Sequence, residues 1–267
     1  MQAPSLTRYV ANGVTLLGDT SRPGGVTFAF TERTGGVSKA PYASLNLGSR
    51  CGDDPACVAE NRARALAALG AEKIAASLVE PRQVHGDHVV VVDSSAPEAL
   101  AAARAQAQAG ADAIVCTVPG VLVLLCFADC VPVVLIAPGA FAVVHSGWRG
   151  TLARISAKAA AVLAEEAACE TADICAYVGP HASAADYEVS AELLATFEDE
   201  FGTIVHTAET ERNLDLSAAI RCALTRVGLD SARILDACPS TVSNTDRFYS
   251  YRAEGGICGR HAAIAYL

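Results

Sequence analysis

Three apolar runs set close together in the middle of the chain leave few options for its fold. Residues 121–127 (Val-Leu-Val-Leu-Leu-Cys-Phe), 131–136 (Val-Pro-Val-Val-Leu-Ile) and 140–145 (Ala-Phe-Ala-Val-Val-His) carry almost no polar side chain. A short run without alternation is the pattern of a strand covered on both faces. Residues 121–137 are too short to span a bilayer and are interrupted by Asp129 and Pro132. They read instead as two buried strands joined by a turn.

Around this centre, strands are expected at 24–31, 89–92, 174–178, 232–237 and 262–267. Helices are expected at 56–69, 97–109, 151–168, 191–201 and 216–227. Asp53-Asp54-Pro55 has the acidic and proline signature of a helix start, and Ser190 is placed to cap the helix at 191. Residues 34–50, rich in Gly, Ser and Pro, form a loop long enough to be functional. Strands and helices interleave without a linker or repeat. The expected architecture is therefore an α/β fold of α+β-like character, with mixed β-sheets packed against helices in a single domain over 1–267.

The chain has 267 residues, 52% of them hydrophobic and 18% charged, which suits a globular protein. Its formal charge of −9 argues against a nucleic-acid binder, which needs a basic face. A small-molecule substrate is the expected partner. The ten cysteines are scattered through apolar stretches, as packed free thiols would be, so a reducing compartment is expected. The N-terminus lacks the basic and apolar segments of a signal peptide. No membrane association and a cytoplasmic location are the corresponding expectations.

Candidate chemistry sits where apolar runs meet turns. His85 lies in Gln-Val-His-Gly, Cys130 in Ala-Asp-Cys-Val-Pro and His145 in Val-Val-His-Ser-Gly-Trp-Arg-Gly. Two imidazoles and a thiolate are the donor set of a zinc site whose fourth position stays open. The same residue types also suit two core histidines and a packed thiol, or a metal-free pair with Cys130 as nucleophile. Cys126 is a conceivable fourth ligand of a structural site. Copper is disfavoured: Met1 is the sole methionine available for an axial ligand, and the six histidines include no His-x-His pair.

Other residues could complete a site. Arg149, followed by a helix expected near Thr151, could hold an anion, with Gly147 and Gly150 allowing close approach. Asp129 and Asp112 could orient a histidine or activate a water, or else cap turns. Gln83 would share a face with His85 in an extended segment. Arg252 and Arg260 could bind an anionic group or cover a sheet edge. Arg252 is favoured because an aromatic neighbour can hold its guanidinium. His88 and His206 read as ordinary exposed residues, and His181 in Gly-Pro-His is weak evidence alone.

Taken in order, the words of this chain resemble the laccase-domain or polyphenol-oxidase family, whose members are described as multifunctional purine nucleoside phosphorylases. The resemblance spans nearly the whole chain. It includes Gly35-Gly36-Val37-Ser38, Ser44-Leu45-Asn46-Leu47-Gly48, Gly52-Asp53-Asp54-Pro55, Gln83-Val84-His85-Gly86, Ala128-Asp129-Cys130, His145 through Gly150, Tyr187-Glu188-Val189, Leu214-Asp215-Leu216 and the Phe-Tyr-Ser-Tyr-Arg word ending at Arg252. It implies His85, Cys130 and His145 as metal ligands and Arg252 as a residue of the activity. On this basis Arg252 and Asp129 are the expected catalytic residues, and Asn46, Gln83 and Arg149 the substrate-binding ones.

The resemblance further implies zinc, phosphorolysis of adenosine, inosine and methylthioadenosine, and deamination of adenosine. The His-x-Glu and Pro-Cys-x-x-Cys words of zinc nucleobase deaminases are absent. Family members are also described as peptidoglycan editing factors, which implies metal-dependent amide hydrolysis as the alternative. A non-catalytic zinc-containing binding protein is the third reading. Two departures from the family pattern stand out: Arg50 where many members carry His, and Cys238 separated from Thr241 by Pro-Ser.

Overall fold

The structure is a computed structural model that describes residues 3–206, 212–236 and 239–267. The chain opens with β1 (Thr7–Ala11), β2 (Val14–Gly18) and β3 (Thr27–Thr31), followed by α1 (Pro55–Leu69), β4 (Val89–Val92) and α2 (Pro97–Ala109). The central strands are β5 (Ala113–Cys116), β6 (Leu122–Phe127), β7 (Val131–Ala137) and β8 (Ala140–Ser146). Then come α3 (Trp148–Leu152), α4 (Ile155–Glu166), β9 (Cys175–Val178), α5 (Ala191–Phe201), α6 (Leu216–Arg226), β10 (Ile234–Asp236) and β11 (His261–Tyr266).

The strands form two sheets. One is antiparallel throughout, in the order β1-β2-β3-β11-β6; the other is mixed, in the order β10-β9-β7-β8-β5-β4. Side-chain alternation builds three apolar layers from them. Leu122 and Leu124 of β6 face the α1 side with Leu66 and Leu69, while Val123, Leu125 and Phe127 face the second sheet. Phe141 and Val143 of β8 meet Phe28, Phe30 and Phe127 between the sheets. Ala142 and Val144 of the same strand pack toward Leu163 of α4 and Ile220 of α6. Each central run is therefore covered on both sides, and each fully buried Val, Leu or Phe contributes about 1.5–3 kcal/mol. The alternation also puts His145, two residues after Val143, on the inter-sheet face at the end of β8.

Local chemistry explains most element ends. Asp54 accepts a hydrogen bond from the Ala56 amide and Pro55 opens α1, which stops at Gly70 with φ of +69°. Ser190 accepts from the Leu193 amide at the start of α5, and Asp215 from the Ala218 amide at the start of α6. Three features depart from the expected elements. The β1–β2 hairpin turns at Asn12-Gly13, both at positive φ, a strong two-residue hairpin signal. Strand β5 lies in the Ile-Val-Cys stretch that composition presented only as packed thiols. The helix expected at 151–168 is two helices, α3 and α4, separated at Arg154, whose φ is +59°.

Glu32, just past β3, is fully buried and ties the chain ends together. Its carboxylate accepts from Arg8 Nε at 2.7 Å and Nη2 at 2.9 Å, and from Arg247 Nε at 3.0 Å and Nη2 at 2.6 Å. Arg33 adds bonds to the carbonyls of Thr245 at 2.6 Å and Phe248 at 3.3 Å. These contacts hold the segment that leads to Arg252. Among the described residues no helix is long and apolar enough to cross a membrane.

Burial alone would raise the Glu32 carboxyl, but hydrogen bonds from Arg8 and Arg247 outweigh it and hold the group below its ordinary value. A depressed folded value means stability that is full above the unfolded carboxylate range, near pH 4.3, and is lost as pH falls through the folded value. Glu32→Gln is expected to lower stability by about 2 kcal/mol at pH 7. The gap to wild type should close progressively below about pH 4. Urea unfolding of both proteins across pH 3–7 checks this; a gap that is constant with pH contradicts it.

Candidate metal centre

The site lies where β6 and β8 end and β11 begins. Asp112, immediately before β5, faces His145 because β5 and β8 pair as Ala113 with Val144; the His145 amide donates to the Asp112 carbonyl at 2.7 Å. The Asp112 side chain is buried and organises two segments together. Its Oδ1 accepts from His145 Nδ1 at 2.7 Å and from the His85 amide at 3.0 Å. Its Oδ2 accepts from the amides of Val84 at 3.1 Å and Gly86 at 2.8 Å. Four donors on one carboxylate fix the 84–86 turn, in which His85 adopts φ of +59°. They also commit His145 Nδ1 as donor, which leaves Nε2 to serve as a ligand.

Cys130 follows Asp129, itself at φ of +84°. The donor atoms of His85, Cys130 and His145 all lie within 4.8 Å of one another, and the two imidazole centres are 4.9 Å apart. His145 is buried, Cys130 partly buried and His85 exposed, so the cluster opens on one side. Burial alone would raise the Cys130 thiol, yet the charge of His145 and hydrogen bonds from His145 and His85 bring it down to about 6. Burial alone would lower His145, but the Cys130 charge and the Asp112 hydrogen bond carry it up to about 9. Both shifts favour the thiolate and imidazolium forms, and a cation entering the cluster would compete with the imidazole proton.

The cluster fits a metal on the chemistry of its donors and on the space around it. A Cβ placed on Gly147 would stand 2.9 Å from His85 Cδ2 and 3.2 Å from Cys130 Sγ, so only glycine lets these two side chains converge. Cys126 stays out of the cluster. It points to the α1 side of β6, and burial pushes its thiol up to about 12. Three protein donors with one open side is the arrangement of a reactive rather than a structural site.

A cavity of about 600 Å³ opens over the cluster, within the range of small-molecule sites. Phe127, Trp148, Tyr187 and Tyr251 line it together with Arg50, Arg149, Arg252 and Arg260. Arg149 sits in the first turn of α3, its guanidinium 4.3 Å from the Trp148 ring centre. That helix has only five residues, so the expected long-helix dipole does not operate and the anion attraction is the guanidinium's own. Arg252 lies over Tyr187 at 4.6 Å and donates through Nη1 to the carbonyls of Glu188 at 2.9 Å and Asp186 at 3.4 Å.

Three expected site residues carry hydrogen bonds that hold the site, and two of them, Gln83 and Asp129, also line the cavity. The amide of Gln83 donates to the Cys126 carbonyl at 2.8 Å and accepts the Cys126 amide at 3.0 Å, which uses both ends of the side chain. Asp129 lines the cavity, but Oδ1 accepts from Thr241 at 2.7 Å and Oδ2 from the Arg252 amide at 2.7 Å. It holds the Arg252 backbone in place. Asn46 is fully buried and outside the cavity; it bonds Gly48, Cys51, Asp53 and the Arg260 amide. The residue expected to bind substrate thus lies outside the cavity lining and braces the loop beside it. Cys238 lies outside the described residues. His181 is buried, with Nδ1 on the Gly179 carbonyl at 2.8 Å, and does not line the cavity.

Residues 27–267 match the family model described as multi-copper polyphenol oxidoreductase laccase. The purine nucleoside phosphorylase of Deinococcus radiodurans is 38% identical over 245 residues, covering 91% of this chain and 89% of that protein. The purine nucleoside phosphorylase of Corynebacterium glutamicum is 36% identical over 241 residues, covering 89% and 93%. Among solved structures, YlmD from Geobacillus stearothermophilus is similar with a TM-score of 0.86 and 28% identity, over 98% of this chain and 99% of that one. The hypothetical protein YfiH of Bacillus licheniformis gives a TM-score of 0.84 at 27% identity, over 96% and 97%.

Two substitutions test the centre without reference to turnover. Asp112→Asn keeps the shape but weakens the hold on His145 and the 84–86 turn, and should reduce zinc affinity on the order of 10–100-fold. Gly147→Ala keeps a permitted φ of −76°, so its expected loss of zinc affinity reads the steric contact with His85 and Cys130 directly. Competition with a chromogenic chelator measures both, with thermal unfolding as the control for folding. Wild-type affinity in both variants would remove the cluster as the metal site.

Proposed function

This chain belongs to the family described as multi-copper polyphenol oxidoreductase laccase, and from that premise we propose that it is a zinc-dependent purine nucleoside phosphorylase acting on adenosine, inosine and methylthioadenosine. Deamination of adenosine is its second activity in this reading. The relatives named purine nucleoside phosphorylase support the substrate class. The observation that carries phosphorolysis is Arg149: its guanidinium lines the cavity beside the ligand cluster, stacked on Trp148, with no carboxylate partner among the described residues. An unpaired, planar guanidinium held by an aromatic ring is a ready receptor for phosphate.

Zinc suits the donor set better than copper, because among the described residues no methionine stands near the cluster to serve as an axial ligand. His85, Cys130 and His145 would hold the ion, which supplies Lewis-acid polarisation when bound. The chain's own groups do the rest. Arg149 and Arg252 bind and orient phosphate for attack at C1′ of the ribose, where the bond to the purine nitrogen breaks. Asp129 and Thr241 hold the segment from which Arg252 projects. Trp148, Tyr187 and Tyr251 offer ring faces for the base. The scatter of the cysteines through apolar stretches supports a cytoplasmic setting, and the shared two-sheet core supports a single domain over 1–267.

The test is product analysis with zinc-loaded protein, with and without phosphate. Free purine base and ribose 1-phosphate in equal amounts, formed only with phosphate, are expected. Arg149→Ala should raise KM for phosphate about tenfold, and Cys130→Ala should abolish both zinc and turnover. Inosine formed from adenosine without phosphate reads out the deaminase activity. Zinc-loaded protein that turns over no nucleoside would overturn the proposal and bring forward amide hydrolysis of a peptidoglycan precursor. Turnover that survives full zinc removal would make Cys130 a nucleophile instead.

A further inference from the structure

The cavity has two cationic walls, and phosphorolysis uses one of them. Arg149 and Arg252 belong to the wall built by α3 and residues 186–188. Arg50 and Arg260 belong to the wall built by residues 48–51 and the turn leading into β11. Among the described residues neither member of this second pair has a carboxylate partner. Arg50 Nη2 donates to Gln108 Oε1 at 2.6 Å, a neutral acceptor. Arg260 Nη1 donates to the carbonyls of Cys258 and Gly259, both at 2.8 Å, and to Cys258 Sγ at 3.4 Å. The carboxylate on that wall is already engaged: Glu80 accepts from Arg62 at 2.9 and 2.6 Å. Two guanidiniums thus line the cavity without a counter-charge among the described residues, in a chain whose formal charge is −9.

Both are held in place. Gln108 donates through Nε2 to the Glu80 carbonyl at 2.6 Å, so Arg50 rests on a fixed acceptor. The Arg260 amide donates to buried Asn46 at 2.8 Å, and the Arg260 stem lies so close to Gly48 that a Cβ there would stand 2.7 Å from Cγ. Its guanidinium lies 5.7 Å from the Tyr251 ring centre. Preorganised guanidiniums without a carboxylate partner favour a phosphoryl group over a neutral one. The proposed reaction assigns inorganic phosphate to Arg149 and Arg252, so the group that fits Arg50 and Arg260 is a phosphate carried by the substrate.

We infer that Arg50 and Arg260 form a second anion subsite for a phosphate monoester on the substrate, so that the cavity takes a nucleoside monophosphate in preference to the bare nucleoside. The inference rests on the reading of this cavity as a purine-nucleoside site. Isothermal calorimetry on the full chain, with adenosine, adenosine 5′-monophosphate and inorganic phosphate as separate probes, tests it. The monophosphate is expected to bind at least about tenfold more tightly than adenosine. Arg50→Ala should bring that ratio close to one, and Arg50→Glu should invert it. Arg50 is exposed, so both variants should keep the wild-type unfolding midpoint.

Binding of inorganic phosphate that is weakened by Arg149→Ala and not by Arg50→Ala separates the two walls and supports the inference. A monophosphate that binds no better than adenosine, or a preference that survives Arg50→Glu, overturns it. The two readings fail separately. Phosphorolysis of adenosine without a monophosphate preference removes the subsite alone. Arg50-dependent binding of the monophosphate without any phosphorolysis keeps the subsite and removes the assigned reaction.

Discussion

A single buried carboxylate, Asp112, is the constraint on which the candidate centre depends. Its two oxygens take one imidazole N–H and three backbone N–H groups. Burial alone would raise it, but the His145 hydrogen bond and charge and the amides of Gly86 and Val84 hold it below the ordinary carboxylate range. It therefore stays charged where an unpartnered carboxylate would neutralise. That charge does two jobs. It sets which nitrogen of His145 faces Cys130, and it clamps a turn in which His85 adopts a backbone conformation that non-glycine residues rarely take.

Around this point the fold uses the space between two sheets. The apolar faces of β6 and β8 fill the middle, and the polar groups gather where those strands stop. The second half of the site comes from the far end of the chain and needs its own anchors. Glu32 and Arg33 hold residues 245–248. Asp129 then holds Thr241 and the Arg252 amide, while Asp186 accepts from Ser183, Ser240 and Ser243. Arg252 is thus aimed by carboxylates that do not themselves pair with its guanidinium. Its charge remains available in the cavity because those carboxylates are occupied elsewhere.

The strands and the ligand set were the most legible parts. The apolar runs at 121–145 named their own strands, and donor chemistry together with turn positions marked His85, Cys130 and His145. The Asn12-Gly13 hairpin carried a clear signal that a search for longer apolar runs passes over. The break at Arg154 was hidden, because helical periodicity continues across α3 and α4 and only the left-handed backbone at one residue separates them. Asn46, Gln83 and Asp129 share one feature that the sequence hides: polar residues beside a motif look like ligand contacts, and the bonds that occupy them are not visible in the chain. Their partners lie far away in sequence, Cys126 for Gln83, Arg260 for Asn46, and Thr241 and Arg252 for Asp129.

Residue type and local order were enough to determine the α/β architecture, the caps of α1 and α5 and the three candidate donors. These depend on side-chain periodicity and ligand chemistry, which a linear chain already displays. Tertiary structure decided how those donors meet, which polar groups are spent on holding the fold, and which arginines keep an uncompensated charge. The physical reason is that hydrogen-bond saturation and charge neutralisation belong to pairs of groups. Only folding brings Asp112 to His85 and His145, Glu80 to Arg62, and leaves Arg149, Arg50 and Arg260 without a carboxylate among the described residues.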